Sequence, residues 1–238
     1  MQDKELISRA PIDWTEYMWW LTFTNVGMLL IQNVNCFIYA IKNLPSNSPM
    51  LEIGTYAGLS ANMLTYLKNK HGVTNKLITC DKWIFETYED MNDNDKTIGD
   101  ITKVNIQDIA KLIRSRYIEN AKMFSSNDLP STIEMFSDEF FEAWKNKKEC
   151  IDIFNRNIKL GGPISFCYID GNHSYDFVKR DFENCDKYLE VGGFILFDDS
   201  SDDSVFPAKN VVKDVINTKR YEIISKDKNY FFKKINNG

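Results

Sequence analysis

Apolar and polar positions follow two rhythms along this chain. From Trp14 to Leu44 large apolar residues recur at helical spacing: Trp14, Tyr17 and Met18, Leu21, then Met28 and Ile31. That period predicts helix, and Leu44-Pro-Ser-Asn-Ser-Pro49 ends it. Short apolar runs then alternate with amphipathic segments. Met50 to Ile53 predicts a strand, Leu59 to Asn69 a helix and Lys76 to Cys80 a strand, the βαβ rhythm of a parallel sheet. The rhythm is suspended over the Asn- and Asp-rich stretch Asp90 to Asp100 and a helix predicted over Ile101 to Asn120, a lid-like insertion around residues 84–130. It resumes with a strand at Ile133 to Phe136, a helix over Asp138 to Asn155, a strand at Ile164 to Ile169, a helix over Ser174 to Leu189 and a strand at Phe194 to Phe197. Pro207 is placed to open a last helix, and Tyr221 to Ile224 with Tyr230 to Ile235 predict a terminal antiparallel hairpin. The reading is an α/β fold, a doubly wound and mostly parallel sheet over residues 48–238 with an N-terminal helical cap over 1–47.

At 238 residues and 43% apolar, the chain can bury a large core as one domain. A net charge of -5 without a basic stripe argues against a nucleic-acid partner. The start Met-Gln-Asp-Lys-Glu does not look like a secretory signal, and Val26 to Ile41 is interrupted by Gln32, Asn33 and Asn35, so no membrane span is expected. Five cysteines form no CxxC pair. They read as buried thiols in a reducing, cytoplasmic setting. Homo-oligomerisation stays open.

The residues that carry chemistry stand at strand ends. Asp170 and His173 close one apolar run within Tyr168-Ile-Asp-Gly-Asn-His-Ser-Tyr175, and the doublet Asp198-Asp199 closes the next. One strand-helix-strand unit separates them, so both acidic groups emerge side by side where open α/β sheets bind ligands. Convergent carboxylates suit a hard divalent cation. The first strand-to-helix turn carries Gly54 and Gly58, but Tyr56 stands where a dinucleotide fingerprint needs its second glycine. Nicotinamide binding is therefore disfavoured. Asp81, ending the second strand, is placed to accept hydrogen bonds from a ribose diol. The Asp90 to Asp100 stretch lacks the central glycine and terminal glutamate of a calcium loop.

Over roughly residues 48 to 235 this series resembles the class I S-adenosylmethionine-dependent methyltransferases: Glu52, Gly54 and Gly58, then Asp81, then the IDGNHSY and GGFILFDD segments, in the family's order. More narrowly it is similar to the metal-dependent sugar O-methyltransferases of the macrocin and mycinamicin type. The resemblance implies a Rossmann-like, seven-stranded methyltransferase fold. It also implies S-adenosylmethionine held by Glu52, Gly54, Tyr56, Gly58, Ser60 and Asp81, Mg2+ on Asp170, Asp198 and Asp199, and His173 as the base. The acceptor it implies is a hydroxyl of a sugar or glycosylated small molecule. Catechol-type enzymes share the layout but place lysine at the base position and asparagine second in the doublet, where this chain has His173 and Asp199.

The residues suit that chemistry. Methyl transfer from a sulfonium needs an oxygen held in line and relieved of its proton. His173 is expected as a neutral imidazole, since it precedes a helix whose positive end disfavours imidazolium. His71, in a polar helix end, reads as a solvated residue. Other readings stay open. Asp170 and His173 could cap the following helix, and the acidic doublet could be a solvated loop. A catechol or phenol methyltransferase would need an aromatic acceptor, a metal-independent one would ignore chelators, and a non-catalytic nucleoside-binding protein would have no use for His173.

Overall fold

The computed structural model describes residues 7–84, 95–98 and 102–238. In chain order the elements are α1 (Glu16–Thr24), α2 (Ile31–Lys42), β1 (Met50–Ile53), α3 (Leu59–Lys70), β2 (Leu77–Cys80), β3 (Asp95–Ile98), β4 (Thr102–Asn105), α4 (Ile106–Phe124), β5 (Ser131–Ile133), α5 (Ser137–Lys145), β6 (Glu149–Ile151), β7 (Asn157–Lys159), β8 (Ile164–Ile169), α6 (Tyr175–Tyr188), β9 (Leu189–Phe197), α7 (Ala208–Asn217), β10 (Tyr221–Lys226) and β11 (Tyr230–Lys234).

Seven strands form one sheet in the order β10-β11-β9-β8-β1-β2-β5. The pairs joining β9, β8, β1, β2 and β5 are parallel, and β11 enters antiparallel between β9 and β10. This is the Rossmann-like, seven-stranded arrangement that the resemblance implies, with the expected terminal hairpin. The continuous apolar runs follow from burial on both faces. Alternate strand residues Leu51, Ile53, Cys167, Ile169, Ile195 and Phe197 share a core with Phe140, Trp144, Phe182 and Val212 of α5, α6 and α7. Met50, Phe166, Tyr168, Phe194 and Leu196 point the other way, onto Phe37 of α2, Leu64 of α3 and Tyr117 of α4.

Helix α4 starts at Ile106 rather than Ile101 and runs on to Phe124, and β9 starts at Leu189 rather than Phe194. Three further elements differ more. The single helix over Trp14 to Leu44 is broken after Thr24. Its connector is pinned to the start of α3: Asn25 Nδ2 donates to the Ala57 carbonyl at 3.0 Å, and a Cβ on Gly27 would lie 2.6 Å from the Leu59 Cβ. Tertiary contact overrides the helical period there. The helix over Asp138 to Asn155 stops at Lys145, and β6 and β7 form a hairpin instead. Buried Asp152 directs that turn, accepting from the amides of Phe154 at 3.0 Å and Arg156 at 2.8 Å, the local competition by which aspartate diverts helix. The strand at Ile133 to Phe136 lies earlier, at Ser131–Ile133, and Phe136 caps α5.

The Asp90 to Asp100 stretch falls largely outside the described residues, although Asp95–Ile98 pairs antiparallel with Thr102–Asn105. Helix α4, read from sequence as an insertion, supplies the crossover from β2 to β5 and buries Ala110, Ile113, Tyr117 and Ala121. All five cysteines are free thiols. Among the described residues no helix is long and apolar enough to cross a membrane.

Candidate active site

The parallel register sets the site. Ile53 pairs with both Cys80 and Ile169, and Ile169 pairs with Phe197. The ladder runs one residue further, with Gly54 N on Cys80 O at 2.9 Å, Asp170 N on Ile53 O at 2.8 Å, Asp198 N on Ile169 O at 2.9 Å and Asp81 N on Ile133 O at 3.3 Å. Gly54, Asp81, Asp170 and Asp198 are thereby held in one row along the carboxyl edge.

The glycine turn is built around two backbone constraints. Gly54 has φ +83, and a Cβ there would lie 2.0 Å from the Asp170 carbonyl oxygen, so only glycine lets the two strand ends approach. Gly58, at φ +90, is the N-cap of α3 and faces the Tyr117 ring. Asp81 closes the turn: Oδ2 accepts from Thr55 N at 2.8 Å and Tyr56 N at 3.1 Å, and Oδ1 accepts from Trp83 N at 2.7 Å. Burial pushes the Asp81 carboxyl up, and those amides draw it part of the way back. At the base of the turn Glu52 is fully buried; Ser60 Oγ bonds its Oε1, while Oε2 has no partner. Burial holds the Glu52 carboxyl well above the ordinary range.

Next to the turn, ligand atoms of Asp170, His173 and Asp198 all lie within 4.8 Å of one another. Asp199 is not in that group. It takes a left-handed backbone, φ 47, and turns its Oδ2 onto His173 Nδ1 at 2.9 Å, while His173 Nε2 lies 3.5 Å from Asp170 Oδ1. Phe206 packs edge-on to the imidazole with ring centroids 5.0 Å apart. Burial and the neighbouring Asp198 push Asp170 up to about 8. Burial alone would lower the His173 pKa, but its bonds to Asp170 and Asp199 outweigh that and raise it to about 10. The expected neutral imidazole is therefore not the state this arrangement favours, because two carboxylates act on the ring more strongly than a helix end does.

Residues 51–200 match a family model described as a methyltransferase domain. The chain belongs to that family. It is a methyltransferase. No curated protein matches the sequence. Among solved structures the methyltransferase is similar to the O-methyltransferase NovP, at 15% identity, TM-score 0.57, covering 88% of this chain and 82% of NovP. It is likewise similar to TomG from Streptomyces achromogenes, an O-methyltransferase of tomaymycin synthesis in complex with the methyl donor, at 11% identity, TM-score 0.57, covering 96% and 94%. A third likeness is to CalS11, a TDP-rhamnose 3'-O-methyltransferase of calicheamicin biosynthesis, at 12% identity, TM-score 0.52, covering 94% and 97%. At these identities the likenesses speak for the shared fold.

The methyltransferase has a site that fits its donor. A glycine cradle that a Cβ would fill, an unpartnered buried Glu52 oxygen and an α3 N-terminus without a side-chain cap lie together, and the helix end suits the carboxylate of an amino-acid moiety. Two mutually repelling carboxylates and a histidine at Asp170, Asp198 and His173 fit a divalent cation. The sequence pattern missed Asn33, Asn229 and Phe206. Of these Asn33 left a trace, a polar residue amid the apolar run of α2, and it is wholly buried.

Proposed function

We propose that this methyltransferase acts on a hydroxyl of a sugar or glycosylated small molecule, with a magnesium-class cation on Asp170 and Asp198 and His173 as general base. One observation carries the reading: a compact carboxylate and histidine cluster stands on the same sheet edge as the glycine turn, one strand away. CalS11, a TDP-rhamnose 3'-O-methyltransferase of similar fold, supports the choice of acceptor.

A sugar hydroxyl is a poor nucleophile. A cation at this position would lower its pKa and orient it. The chain's own residues do the rest. Asp199 grips Nδ1 of His173, which directs Nε2 toward Asp170 and the cluster. Phe206 backs the imidazole and limits water on that side. With the carboxylate charge beside Nε2 offset by a cation on Asp170 and Asp198, the neutral ring is favoured; Nε2 is then the atom that takes the hydroxyl proton, while Asp199 keeps its hold on Nδ1. Asp81 and Gly54 keep the donor's turn rigid, so donor and acceptor meet in a fixed geometry.

The test is release of S-adenosylhomocysteine with nucleoside-diphosphate sugars carrying vicinal hydroxyls, alongside catechol, in Mg2+ and in chelator. Turnover with the sugar, its loss in chelator and its return with Mg2+ are expected. His173→Gln should lose about 10²- to 10⁴-fold in turnover, the usual contribution of a positioned base. Full turnover in chelator would remove the cation from the mechanism, and turnover on catechol alone would move the acceptor to the phenol class.

A further inference from the structure

Asp198 stands apart from the other acidic residues of the cluster in how thoroughly the protein holds one of its oxygens. Oδ1 accepts from Asn33 Nδ2 and from Asn229 Nδ2, each at 2.7 Å. The two amides also bond one another, Asn229 Nδ2 to Asn33 Oδ1 at 2.8 Å. The remaining valences are filled as well: Asn33 Nδ2 reaches the Tyr168 hydroxyl at 3.2 Å, and Asn229 Oδ1 accepts from Ser200 N at 3.1 Å. Asn33 is 0% and Asn229 3% exposed. The asparagines come from α2 and from the turn between β10 and β11, 196 residues apart in sequence.

We propose that Asn33 and Asn229 are positioning residues of the cation site, which spend Oδ1 of Asp198 on the protein and leave its other oxygen for the cation. This rests on the reading of the cluster as a cation site. Burying two amides is costly unless every donor and acceptor is met, and here the closed network meets them around a single carboxylate. The choice of amide over cation is physical. Lysine or arginine at either position would fix Asp198 equally well but would neutralise it and compete with a metal ion, whereas a neutral amide orients the carboxylate and leaves its charge in place. Two donors on one oxygen also fix the carboxylate's rotation, so Asp198 would bind through a single oxygen. Coordination positions are then left for the acceptor.

The experiment measures Mn2+ binding by the paramagnetic resonance signal of the free ion, and S-adenosylhomocysteine binding by calorimetry, on the same preparations of wild type, Asn33→Leu and Asn229→Leu. Leucine keeps the branching at Cγ and removes the donor. Mn2+ affinity should fall about 10- to 100-fold, the usual cost of removing an outer partner of a metal ligand, with S-adenosylhomocysteine affinity unchanged. The Mg2+ concentration for half-maximal turnover should rise likewise, with turnover at saturating Mg2+ largely kept. If the leucine variants do not fold, Asn33→Ser and Asn229→Ser make the same comparison. Wild-type Mn2+ affinity in the variants, or parallel loss of both ligands, overturns the positioning role while the cation reading stands. A wild-type protein that binds no Mn2+ overturns both.

Discussion

Asp199 reaches His173 across the site, its Oδ2 lying 2.9 Å from the ring's Nδ1. The aspartate does so from a left-handed backbone, φ 47, a conformation that is uncommon outside glycine and that aspartate and asparagine adopt more readily than other side chains. The doublet therefore divides its work. Asp198 faces Asn33 and Asn229, and Asp199 faces the imidazole.

That division separates two variants. Asp198→Asn should lose cation binding. Asp199→Asn, which suits the left-handed backbone, should keep most Mn2+ affinity and lower turnover about 10- to 100-fold through a misoriented ring, less than the loss of about 10²- to 10⁴-fold expected when a positioned base is removed outright. Should Asp199→Asn lose Mn2+ binding as fully as Asp198→Asn, Asp199 is an oxygen ligand, as the family resemblance implies.

The chain has two histidines, which makes their titration readable by nuclear magnetic resonance. In chelator His173 should titrate near 10, because Asp170 and Asp199 stabilise its charged form against burial. His71 should titrate below 6.5, lowered by partial burial and by Lys42 and Lys70. Saturating Mg2+ should move the His173 midpoint down and leave His71 in place. A His173 midpoint at 6.5 in chelator would show that the ion pair with Asp199 does not form in solution.

Gly54→Ala places a Cβ 2.0 Å from the Asp170 carbonyl at a positive φ. The strand ends must part, so donor binding and cluster geometry should fail together. Calorimetry should detect no S-adenosylhomocysteine binding, and thermal unfolding should show a loss of about 2 to 4 kcal/mol, the scale of overpacking combined with backbone strain. Donor affinity close to wild type would refute the cradle.

Asp81→Ala removes the acceptor for the amides of Thr55, Tyr56 and Trp83. Stability should drop by about 1 to 3 kcal/mol as those groups lose their partner, in addition to weaker donor binding. Weak donor binding at full stability would mean that Asp81 serves the ribose alone.

Far from the site, Asp186 accepts from Tyr221 Oη at 2.6 Å and pairs with Arg220 at 2.7 Å and Lys234 at 3.2 Å. Burial works to raise its pKa, but these partners prevail and lower it. A carboxyl depressed in the folded state stabilises above its unfolded pKa and loses that contribution as pH falls through the folded value. The stabilisation should thus be full near pH 7 and vanish in acid below the ordinary carboxylate range. Asp186→Asn should cost about 2 kcal/mol at pH 7, in line with loss of a partly buried charged partner, and the difference from wild type should shrink in acid. A pH-independent difference would assign the effect to packing.

The sheet was legible wherever burial on both faces produced an unbroken apolar run. Ile164 to Ile169 occupies the expected residues, and Asp81, Asp170 and Asp198 close their strands as read. Helix boundaries failed where one side chain redirected the backbone, as Asn25 does between α1 and α2 and Asp152 does before β7. Periodicity registers the apolar faces of a helix and is blind to such single hydrogen bonds. The site was legible in part for a similar reason. Strand-end carboxylates announce themselves in sequence, whereas Asn33 and Asn229 join the cluster only through tertiary packing. The charge favoured by His173 in the metal-free cluster was not legible, because it depends on where Asp199 points, which a doublet in sequence leaves undetermined.

The entry of β11 between β9 and β10 carries a consequence for how the protein is made. Asn229, which leads into that strand, is among the last described residues to be synthesised, and the carboxylate it holds was laid down a helix and a strand earlier. On the ribosome β9 must wait with one edge bare until the hairpin emerges. The site cannot be assembled by a nascent chain that stops short of residue 230, so truncated products should be inert and should expose an apolar strand edge that invites aggregation or degradation.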